Sequence, residues 1–277
     1  MIRPEGNIRL LDVGGTFVKC DDARSVPIDS DGEASLIGSS LREAVGDISD
    51  IDKIGVAIPG PFDYANGVFL MRHKFASVYG RSFRELVGIP DGIGLFFIHD
   101  VNCMLLGEMT AGAARGYERA ALVSLGTGLG FATSSGGEVL RNSIGSPAVS
   151  IWNRPYRDGI LEDYVSQRGF LSLYRRLSSR EVPDVIDIEK AANDGEEAAL
   201  QTYGRIGASL AEAIRGQLKD LGTECLLFGG GISHGFKHME QSIKETLDGL
   251  GLGYIGEVSN YRAATFNGLL AALERGI

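Results

Sequence analysis

Cysteine and long apolar runs are both scarce in this sequence, and each shortage excludes a class of protein. Only three cysteines occur among 277 residues, Cys20, Cys103 and Cys225, and they lie far apart among apolar neighbours. Such an odd, scattered set argues against a disulfide framework and predicts reduced thiols in a core. No apolar stretch approaches the roughly 18–20 residues that a membrane-spanning helix needs, and the N-terminal MIRPEGN lacks the pattern of a signal peptide. We therefore expect no membrane partner and a cytoplasmic location.

Blocks of positive charge are also missing. The chain carries 27 Lys and Arg residues against 36 Asp and Glu residues, which gives a formal net charge of −9. Because a nucleic acid is held mainly by basic side chains against its phosphates, we expect no nucleic acid among the partners. The apolar fraction of 44% and the charged fraction of 23% are those of an ordinary globular protein. The length allows a sizeable core in one large or two medium domains.

Glycine, by contrast, is abundant: there are 39 glycines, and many stand in short clusters between apolar runs. The hydrophobic pattern predicts strands that alternate with helices, which is typical of α/β sheets. The predicted strands cover 8–20 (two strands around a glycine turn), 53–58, 94–98, 119–134 (again two strands around a turn) and 225–231. The predicted helices cover 34–47, 101–112, 196–218, 236–248 and 263–275.

The strand–turn–strand unit occurs twice, so we expect two similar lobes with a small-molecule site in the cleft between them. The predicted N-terminal lobe is 1–112 and the predicted C-terminal lobe is 113–277, with the final helix at 263–275 packing near the junction of the lobes.

The first glycine cluster, DVGGTFVK, has the residues of a phosphate-binding turn. Gly14 and Gly15 let the backbone turn tightly with its N–H groups exposed. Thr16 adds a hydroxyl donor and Lys19 a point charge, while Asp12 is suited to hold Mg²⁺ through water. An ordinary β-hairpin with two solvated charges is an equally good interpretation of this segment alone.

Two further clusters follow strands. SLGTGLG resembles part of a dinucleotide-binding fingerprint, but a strand rather than a helix follows it, so we interpret it as a second phosphate turn. The later GGG opens towards a helix, which suits the close approach of a nucleotide but also a plain strand-to-helix turn. The candidate ligands in these clusters are Gly126, Thr127, Gly128, Gly229, Gly230 and Gly231.

Asp100 ends one apolar strand and begins a helix. An N-cap is the simplest interpretation. However, ligands of open α/β sheets bind at the carboxyl ends of strands, and a carboxylate there can accept the proton of a hydroxyl that attacks a γ-phosphate. Asn102 could orient this carboxylate or the substrate.

In order and spacing, five motifs resemble the ROK (repressor, open reading frame, kinase) sugar kinases: DVGGTFVK, VAIPGPFD, HDVNCMLLGE, SLGTGLG and LLFGGGIS. The resemblance implies a two-lobed actin-like, ribonuclease-H-like α/β fold with an interlobe cleft. It implies transfer of the γ-phosphate of Mg·ATP to a hydroxyl of a free hexose or N-acetylated amino-sugar, by a homodimer. Asp100 would be the base, the two glycine turns would hold phosphates, and Gly229–Gly231 would lie near the adenosine. The implied sugar ligands are Gly60, His99, Asp100, Ser143, Ser146 and Glu162.

The chain departs from the family pattern on the sugar side. The family's zinc signature has no counterpart, because Ser146 stands at its His position and no Cys occurs between 104 and 224. We therefore expect no zinc site. His99 replaces an Asn, Ser143 replaces a Glu, and HKF (73–75) replaces a PNL element.

Aromatic and apolar side chains are expected to stabilise the 145–166 segment without metal. Packing by Trp152, Tyr156 and Leu161 is our prediction, although Trp152, Tyr156 and Tyr164 could instead stack on a sugar. His234 and His238 stand four residues apart, and we interpret them as a solvated face rather than metal ligands.

Two other functions remain open at this point. The family also contains repressors, which carry a helix-turn-helix domain before the first glycine turn, whereas eleven residues precede Asp12 here. DNA binding is therefore not expected. A sugar-binding member that has lost catalysis is the second alternative, and the joint retention of Asp12, Lys19 and Asp100 argues against it.

Overall fold

The computed structural model describes residues 6–276; residues 1–5, which include most of the N-terminal segment interpreted above, and residue 277 lie outside the described residues. The chain forms two compact units. The first comprises the described chain up to Ala111, Arg141–Ala148 and the chain from Arg262 onwards, and the second comprises Gly112–Leu140 and Val149–Tyr261.

Strands and helices alternate along most of the chain, as predicted. The strands are β1 (Ile8–Val13), β2 (Phe17–Cys20), β3 (Ser25–Pro27), β4 (Lys53–Ile58), β5 (Phe62–Asp63), β6 (Val68–Phe69), β7 (Gly94–His99), β8 (Ala120–Leu125), β9 (Leu129–Ser135), β10 (Glu138–Val139), β11 (Pro155–Tyr156), β12 (Gly159–Ile160), β13 (Cys225–Gly229) and β14 (Tyr254–Glu257). The helices are α1 (Ala34–Val45), α2 (Phe83–Val87), α3 (Asp100–Ala111), α4 (Leu161–Val165), α5 (Gln167–Ser178), α6 (Val185–Asn193), α7 (Glu197–Asp220), α8 (Glu240–Thr246) and α9 (Ala263–Arg275), with 3₁₀ turns at Ala76–Val78 and Gly231–His238.

The first unit is built on a five-stranded sheet of order β3-β2-β1-β4-β7. β1, β4 and β7 are parallel, and β2 returns antiparallel beside β1. β4 is buried from Ile54 to Ile58, as its unbroken apolar sequence predicts. The register pairs Asp12 with Ala57, and Ile58 with His99, so the carboxyl ends of the three parallel strands align at one edge.

The second unit repeats this plan in a sheet of order β10-β9-β8-β13-β14. β8 pairs antiparallel with β9 and parallel with β13, just as β1 pairs with β2 and β4. Each unit also has its own hydrophobic core. The internal similarity predicted from the two strand–turn–strand units is therefore present in the sheets.

The final helix belongs to the first unit, whereas the sequence interpretation put it in the C-terminal lobe. α9 packs on α3 at two glycines: a Cβ atom at Gly107 would lie 1.8 Å from the Ala264 carbonyl oxygen, and one at Gly268 would lie 1.9 Å from the Cys103 carbonyl oxygen. The Cys103 thiol also donates to the Thr265 carbonyl, 3.1 Å away. This backbone-to-backbone contact is specific to the tertiary fold and is not visible in the helical pattern. Arg141–Ala148 likewise belongs to the first unit.

The three cysteines, Cys20, Cys103 and Cys225, are buried and free, as predicted. Of the described residues, no helix is both long and apolar enough to cross a membrane. The helix predicted at 236–248 is wrong in its first part, because the chain after the GGG cluster forms a 3₁₀ turn at Gly231–His238 before α8 begins at Glu240.

Candidate active site

The first glycine turn joins β1 to β2 and forms a hairpin. The Gly14 N–H donates to the Phe17 carbonyl at 2.9 Å, which closes the turn. Asp12 and Lys19 are cross-strand partners, and Lys19 Nζ lies 3.5 Å from Asp12 Oδ2. The carboxylate is the less accessible member, at 17% against 46% for the lysine side chain. The two charges therefore pair with each other, which the hairpin interpretation did not include.

Burial is the main influence on the Asp12 carboxyl and raises its pKa. Lys19 opposes this shift, Asp100 adds to it, and Arg262 lowers the pKa slightly, so that the net direction is upward. Asp12 and Asp100 are thus close enough to interact. Within residues 6–276 no group of three or more His, Cys, Asp or Glu side chains is arranged to hold a metal ion. A single accessible carboxylate nevertheless fits Mg²⁺, which keeps most of its water and takes few protein ligands.

Gly15 lies close to two polar side chains. A Cβ atom at Gly15 would lie 3.3 Å from Ser30 Oγ and 3.8 Å from Lys74 Nζ. Sequence reasoning singled out neither Ser30 nor Lys74 for this turn. The HKF element at 73–75 is the one sequence feature that points to Lys74, because it has a cation where the family resemblance predicts the uncharged PNL element.

Asp100 is the first residue of α3, directly after β7. Its Oδ1 lies 2.8 Å from His99 Nδ1 and accepts the Val101 N–H at 2.7 Å. Burial raises the pKa of Asp100, but the charge and hydrogen bond of His99, the Val101 N–H and the charge of Lys74 together lower it below its ordinary value. Asp100 is therefore ionised near neutral pH and 39% accessible, and it can accept a proton.

Three of the predicted sugar ligands come together in the first unit. A Cβ atom at Gly60 would lie 3.1 Å from the Tyr64 hydroxyl, 3.3 Å from His99 Cδ2 and 3.4 Å from Ser146 Oγ. The Tyr64 hydroxyl donates to the Ile58 carbonyl at 3.1 Å. Burial raises the pKa of Tyr64 well above its ordinary value, with a further rise from Asp100, so the hydroxyl keeps its proton. Sequence reasoning missed Tyr64.

The 141–148 segment is ordered by Asn142, whose side-chain oxygen accepts the N–H groups of Ile144 and Ser146 at 3.1 Å. Ser143, predicted as a sugar ligand, is exposed in this segment and makes no hydrogen bond to any described residue. Asn102 donates to the Gly145 carbonyl at 3.5 Å, and its buried side-chain oxygen has no partner within residues 6–276. Of the two serines at altered family positions, only Ser146 lies among the other predicted ligands.

The second glycine turn joins β8 to β9 and is supported by Glu162. The Leu129 N–H donates to Glu162 Oε2 at 2.9 Å, and Arg168 donates to Glu162 Oε1 at 3.0 Å. A Cβ atom at Gly128 would lie 2.9 Å from Glu162 Oε2, so a larger residue would displace the carboxylate. Glu162, predicted as a sugar ligand, therefore already accepts hydrogen bonds from two protein donors. Thr127 is exposed in the same turn.

The third cluster follows β13, whose end pairs with the end of β8. Gly230 has φ of 83°, and a Cβ atom there would lie 2.3 Å from the Leu125 carbonyl oxygen, so only glycine fits. Nothing lies within 4 Å of the corresponding point at Gly231. Ser233 donates to the Gly229 carbonyl at 2.6 Å.

The segment compared above with the family's zinc signature forms the β11–β12 hairpin and α4. The Arg157 guanidinium carbon lies 5.2 Å from the ring centroids of both Tyr156 and Tyr164. Leu161 is fully buried, as predicted. Trp152 is 46% exposed, so its predicted packing is not found within the single chain, and its packing across the expected dimer interface stays a prediction.

The two histidines interpreted as a solvated face have separate partners. The His234 ring lies 4.0 Å from the Tyr261 ring, and His238 Nε2 lies 2.9 Å from Asn193 Oδ1.

Comparisons with known proteins identify a family and a fold. A family model described as the ROK family matches residues 21–148. The chain is 30% identical to an N-acetyl-D-glucosamine kinase of Pectobacterium atrosepticum over 213 residues, which are 70% of this chain and 69% of the relative. It is 27% identical to a glucokinase of Thermotoga maritima over 218 residues, with the same coverage of 70% and 69%.

Among solved structures, the chain is similar to a ROK family glucokinase from Streptomyces griseus in complex with glucose and AMPPNP. The TM-score is 0.78 at 18% identity, and the match covers 98% of this chain and 99% of that one. Likeness at this identity shows the fold, and it confirms the predicted α/β, actin-like class.

Proposed function

The chain belongs to the ROK family, and from this premise we propose that it is a sugar kinase that transfers the γ-phosphate of Mg·ATP to a hydroxyl of a free hexose or an N-acetylated amino-sugar. The names of the similar proteins, glucokinase and N-acetyl-D-glucosamine kinase, support the reaction class. The cytoplasmic location and the homodimer expected from the sequence and the resemblance are part of the same proposal.

One observation carries the chemistry: Asp100 is ionised at the carboxyl end of β7, where His99 and the Val101 N–H hold its Oδ1. As the sugar oxygen attacks the γ-phosphorus, its proton passes to this carboxylate. The low pKa of Asp100 keeps it in the accepting form over the neutral range. The bonds to Oδ1 leave Oδ2 to face the hydroxyl.

The phosphates are proposed to bind at the glycine turns, with Gly14, Gly15 and Thr16 in the first unit and Gly126, Thr127 and Gly128 in the second. Gly229, Gly230 and Gly231 would adjoin the adenosine, for which the open space at Gly231 is suited. Asp12 would hold hydrated Mg²⁺, and Lys19 would keep that carboxylate oriented. When bound, Mg²⁺ supplies charge neutralisation to the phosphates.

The acceptor is proposed to bind at Gly60, His99 and Ser146, which lie together beside Tyr64. Their donors and acceptors suit sugar hydroxyls. Ser143 and Glu162 remain proposed ligands on the strength of the family resemblance. Glu162 keeps lone pairs free for a hydroxyl, since an ionised carboxylate has about four acceptor sites and two are occupied.

The test is ADP release from Mg·ATP with a panel of free sugars: glucose, mannose, fructose, N-acetylglucosamine, N-acetylmannosamine and a blank without sugar. We expect release that depends on at least one sugar and that the Asp100→Asn variant has lost. Sugar binding seen by calorimetry without sugar-dependent ADP release would instead identify a binding protein and would overturn the proposal.

A further inference from the structure

The side chains of Ser30 and Lys74 lie beside the first glycine turn. Neither belongs to the motifs, and neither has a role in the reaction as proposed above. Measured from the point where a Cβ atom of Gly15 would stand, Ser30 Oγ is 3.3 Å away and Lys74 Nζ is 3.8 Å away. Ser30 is only 7% exposed, and Lys74 is half-buried. A hydroxyl and an ammonium therefore lie beside the backbone of Gly15.

The first glycine turn is flanked by donors that have no protein partner among the described residues. Across the described part of the chain, the N–H groups of Gly15 and Thr16, the Ser30 hydroxyl and the Lys74 ammonium have neither a hydrogen-bond nor an ion-pair partner. Four such donors beside one turn match the acceptor oxygens of a phosphoryl group.

Lys74 is held in place by its neighbour. Phe75 is fully buried and has φ of 52°, a left-handed conformation that residues with side chains rarely adopt. Its N–H donates to the Ser30 carbonyl at 2.6 Å, and Ser77 Oγ donates to the Gly32 carbonyl at 2.7 Å. The loop that carries Ser30 and the segment that carries Lys74 are therefore fixed to each other.

Lys74 is a second cation beside the first glycine turn. Lys19, which the sequence analysis assigned to the phosphate, is paired with Asp12. The charge of Lys74 reaches Asp100, whose pKa it lowers. Lys74 consequently lies beside the phosphate turn, and its charge acts on the carboxylate that accepts the proton.

We propose that Lys74 and Ser30 bind the phosphoryl group during its transfer, Lys74 as a catalytic cation and Ser30 as a hydroxyl donor. This inference rests on the proposed kinase function. The sugar oxygen forms a bond to the γ-phosphorus, the bond from that phosphorus to the β–γ bridging oxygen breaks, and ADP leaves with the electron pair. The hydroxyl proton passes to Asp100. Lys74 remains protonated and opposes the negative charge on the oxygens of the moving group.

The test compares Lys74→Met, Lys74→Arg and Ser30→Ala with a matched control, Lys53→Met. Lys53 is exposed at the first residue of β4, at the opposite end of the strand from the site. The first measurement is calorimetric affinity for AMPPNP and for ADP with Mg²⁺, without any sugar. We expect Lys74→Met to weaken AMPPNP binding roughly tenfold or more while ADP binding is unchanged, because only AMPPNP has a third phosphate. Ser30→Ala should show a smaller loss of the same kind.

The second measurement is kcat with the best sugar of the panel. Lys74→Met should lower kcat on the order of 10²-fold, as removal of one donor to a developing charge does, and Lys74→Arg should keep most of it. The melting temperature of Lys74→Met should stay close to that of the wild type, because Lys74 makes no hydrogen bond or ion pair within residues 6–276. This separates the proposed role from a structural one.

An equal effect of Lys74→Met on AMPPNP and ADP affinity would overturn the inference. So would a rise in the KM for the sugar with kcat and nucleotide affinity unchanged, because Lys74 would then recognise an anionic group on the acceptor. The binding measurement needs no sugar, so failure of the kinase proposal and failure of this inference give different results.

Discussion

Asp12 and Asp100 are carboxylates at the same edge of the first unit's sheet, yet their pKa values move in opposite directions. Burial dominates at Asp12 and raises its pKa in spite of Lys19. For Asp100, the combined effects of His99, the Val101 N–H and Lys74 outweigh burial and lower the pKa. Neighbouring acids whose pKa values are moved apart in this way commonly have different chemical roles. The proposed division, with Asp100 as proton acceptor and Asp12 as the ligand of a hydrated cation, follows from their surroundings.

Replacement of Asp100 by Asn should abolish most turnover without unfolding the chain. The amide oxygen can still accept the Val101 N–H, but it cannot take a proton from a sugar hydroxyl. We expect kcat to fall by about 10²–10⁴-fold, the usual contribution of a positioned base, with AMPPNP affinity close to that of the wild type. Steady-state kinetics and calorimetry measure the two quantities. If the variant keeps more than roughly a tenth of wild-type kcat, far above that range, Asp100 begins α3 and has no role as base.

His99 should set the acidic limit of activity. Its charge and hydrogen bond are the two largest influences that lower the pKa of Asp100, so their removal in His99→Leu raises that pKa. The acid limb of the pH dependence of kcat/KM, which needs ionised Asp100, should then move to higher pH. His99→Asn keeps a donor and should shift the limb less. A limb that stays in place in both variants would show that Asp100 does not govern it.

The lowered pKa of Asp100 also affects folding stability. A carboxyl whose folded-state pKa is lowered contributes stability above its unfolded pKa and loses it as the pH falls through the folded value. For Asp100 this loss is therefore confined to acid, and His99→Leu should reduce the contribution at neutral pH.

At the scale of elements, the contact of α3 with α9 determines where Asp100 lies. The two helices touch through glycine, and a Cβ atom at Gly268 would lie 1.9 Å from the Cys103 carbonyl oxygen. α3 begins at Asp100, so a displacement of this helix also moves the base. The helical pattern alone gave both helices with nearly the observed bounds, but it placed α9 in the other lobe because a helix does not indicate its partner.

Gly268→Ala should therefore destabilise the first unit and reduce activity together. Insertion of a methyl group into packed backbone typically costs about 1–3 kcal/mol, occasionally more. Gly216→Ala in α7 is the matched control, because nothing lies within 4 Å of its Cβ position and alanine favours a helix. Denaturant unfolding and kcat measure both effects. Equal stability of the two variants would contradict the close contact.

Across the whole molecule, local patterns predicted the regular elements well. β4 has its predicted bounds, 53–58, because an unbroken apolar run ends at a proline–glycine pair that cannot continue a central strand. The sequence interpretation missed α5 although its buried Phe170 and Tyr174 stand four residues apart. The short edge strand β14 was also missed, since it has only four residues and no buried run.

The candidate site was predictable where it depends on neighbouring residues. The Asp12–Lys19 pair follows from the register of a hairpin, and Asp100 follows from a strand that runs into a helix. Lys74 was not predictable, because its place over Gly15 depends on the left-handed Phe75 and on a hydrogen bond to a distant loop. Glu162 was identified, but its partners Leu129 and Arg168 are visible only in the tertiary structure.

The last prediction concerns metal content. In the segment for which the resemblance implies zinc ligands in the family, Arg157 packs against the contacting rings of Tyr156 and Tyr164, and Leu161 is buried in the core. These contacts stabilise the hairpin by cation–π attraction and apolar burial, for which no metal is needed. The purified protein should contain no stoichiometric zinc by elemental analysis, and a chelator should leave its melting temperature unchanged while it removes the Mg²⁺ that activity needs. Arg157→Ala should lower the melting temperature slightly with or without chelator. About one tightly bound zinc ion per chain, or a chelator-sensitive melting temperature, would show that metal rather than side-chain packing stabilises this segment.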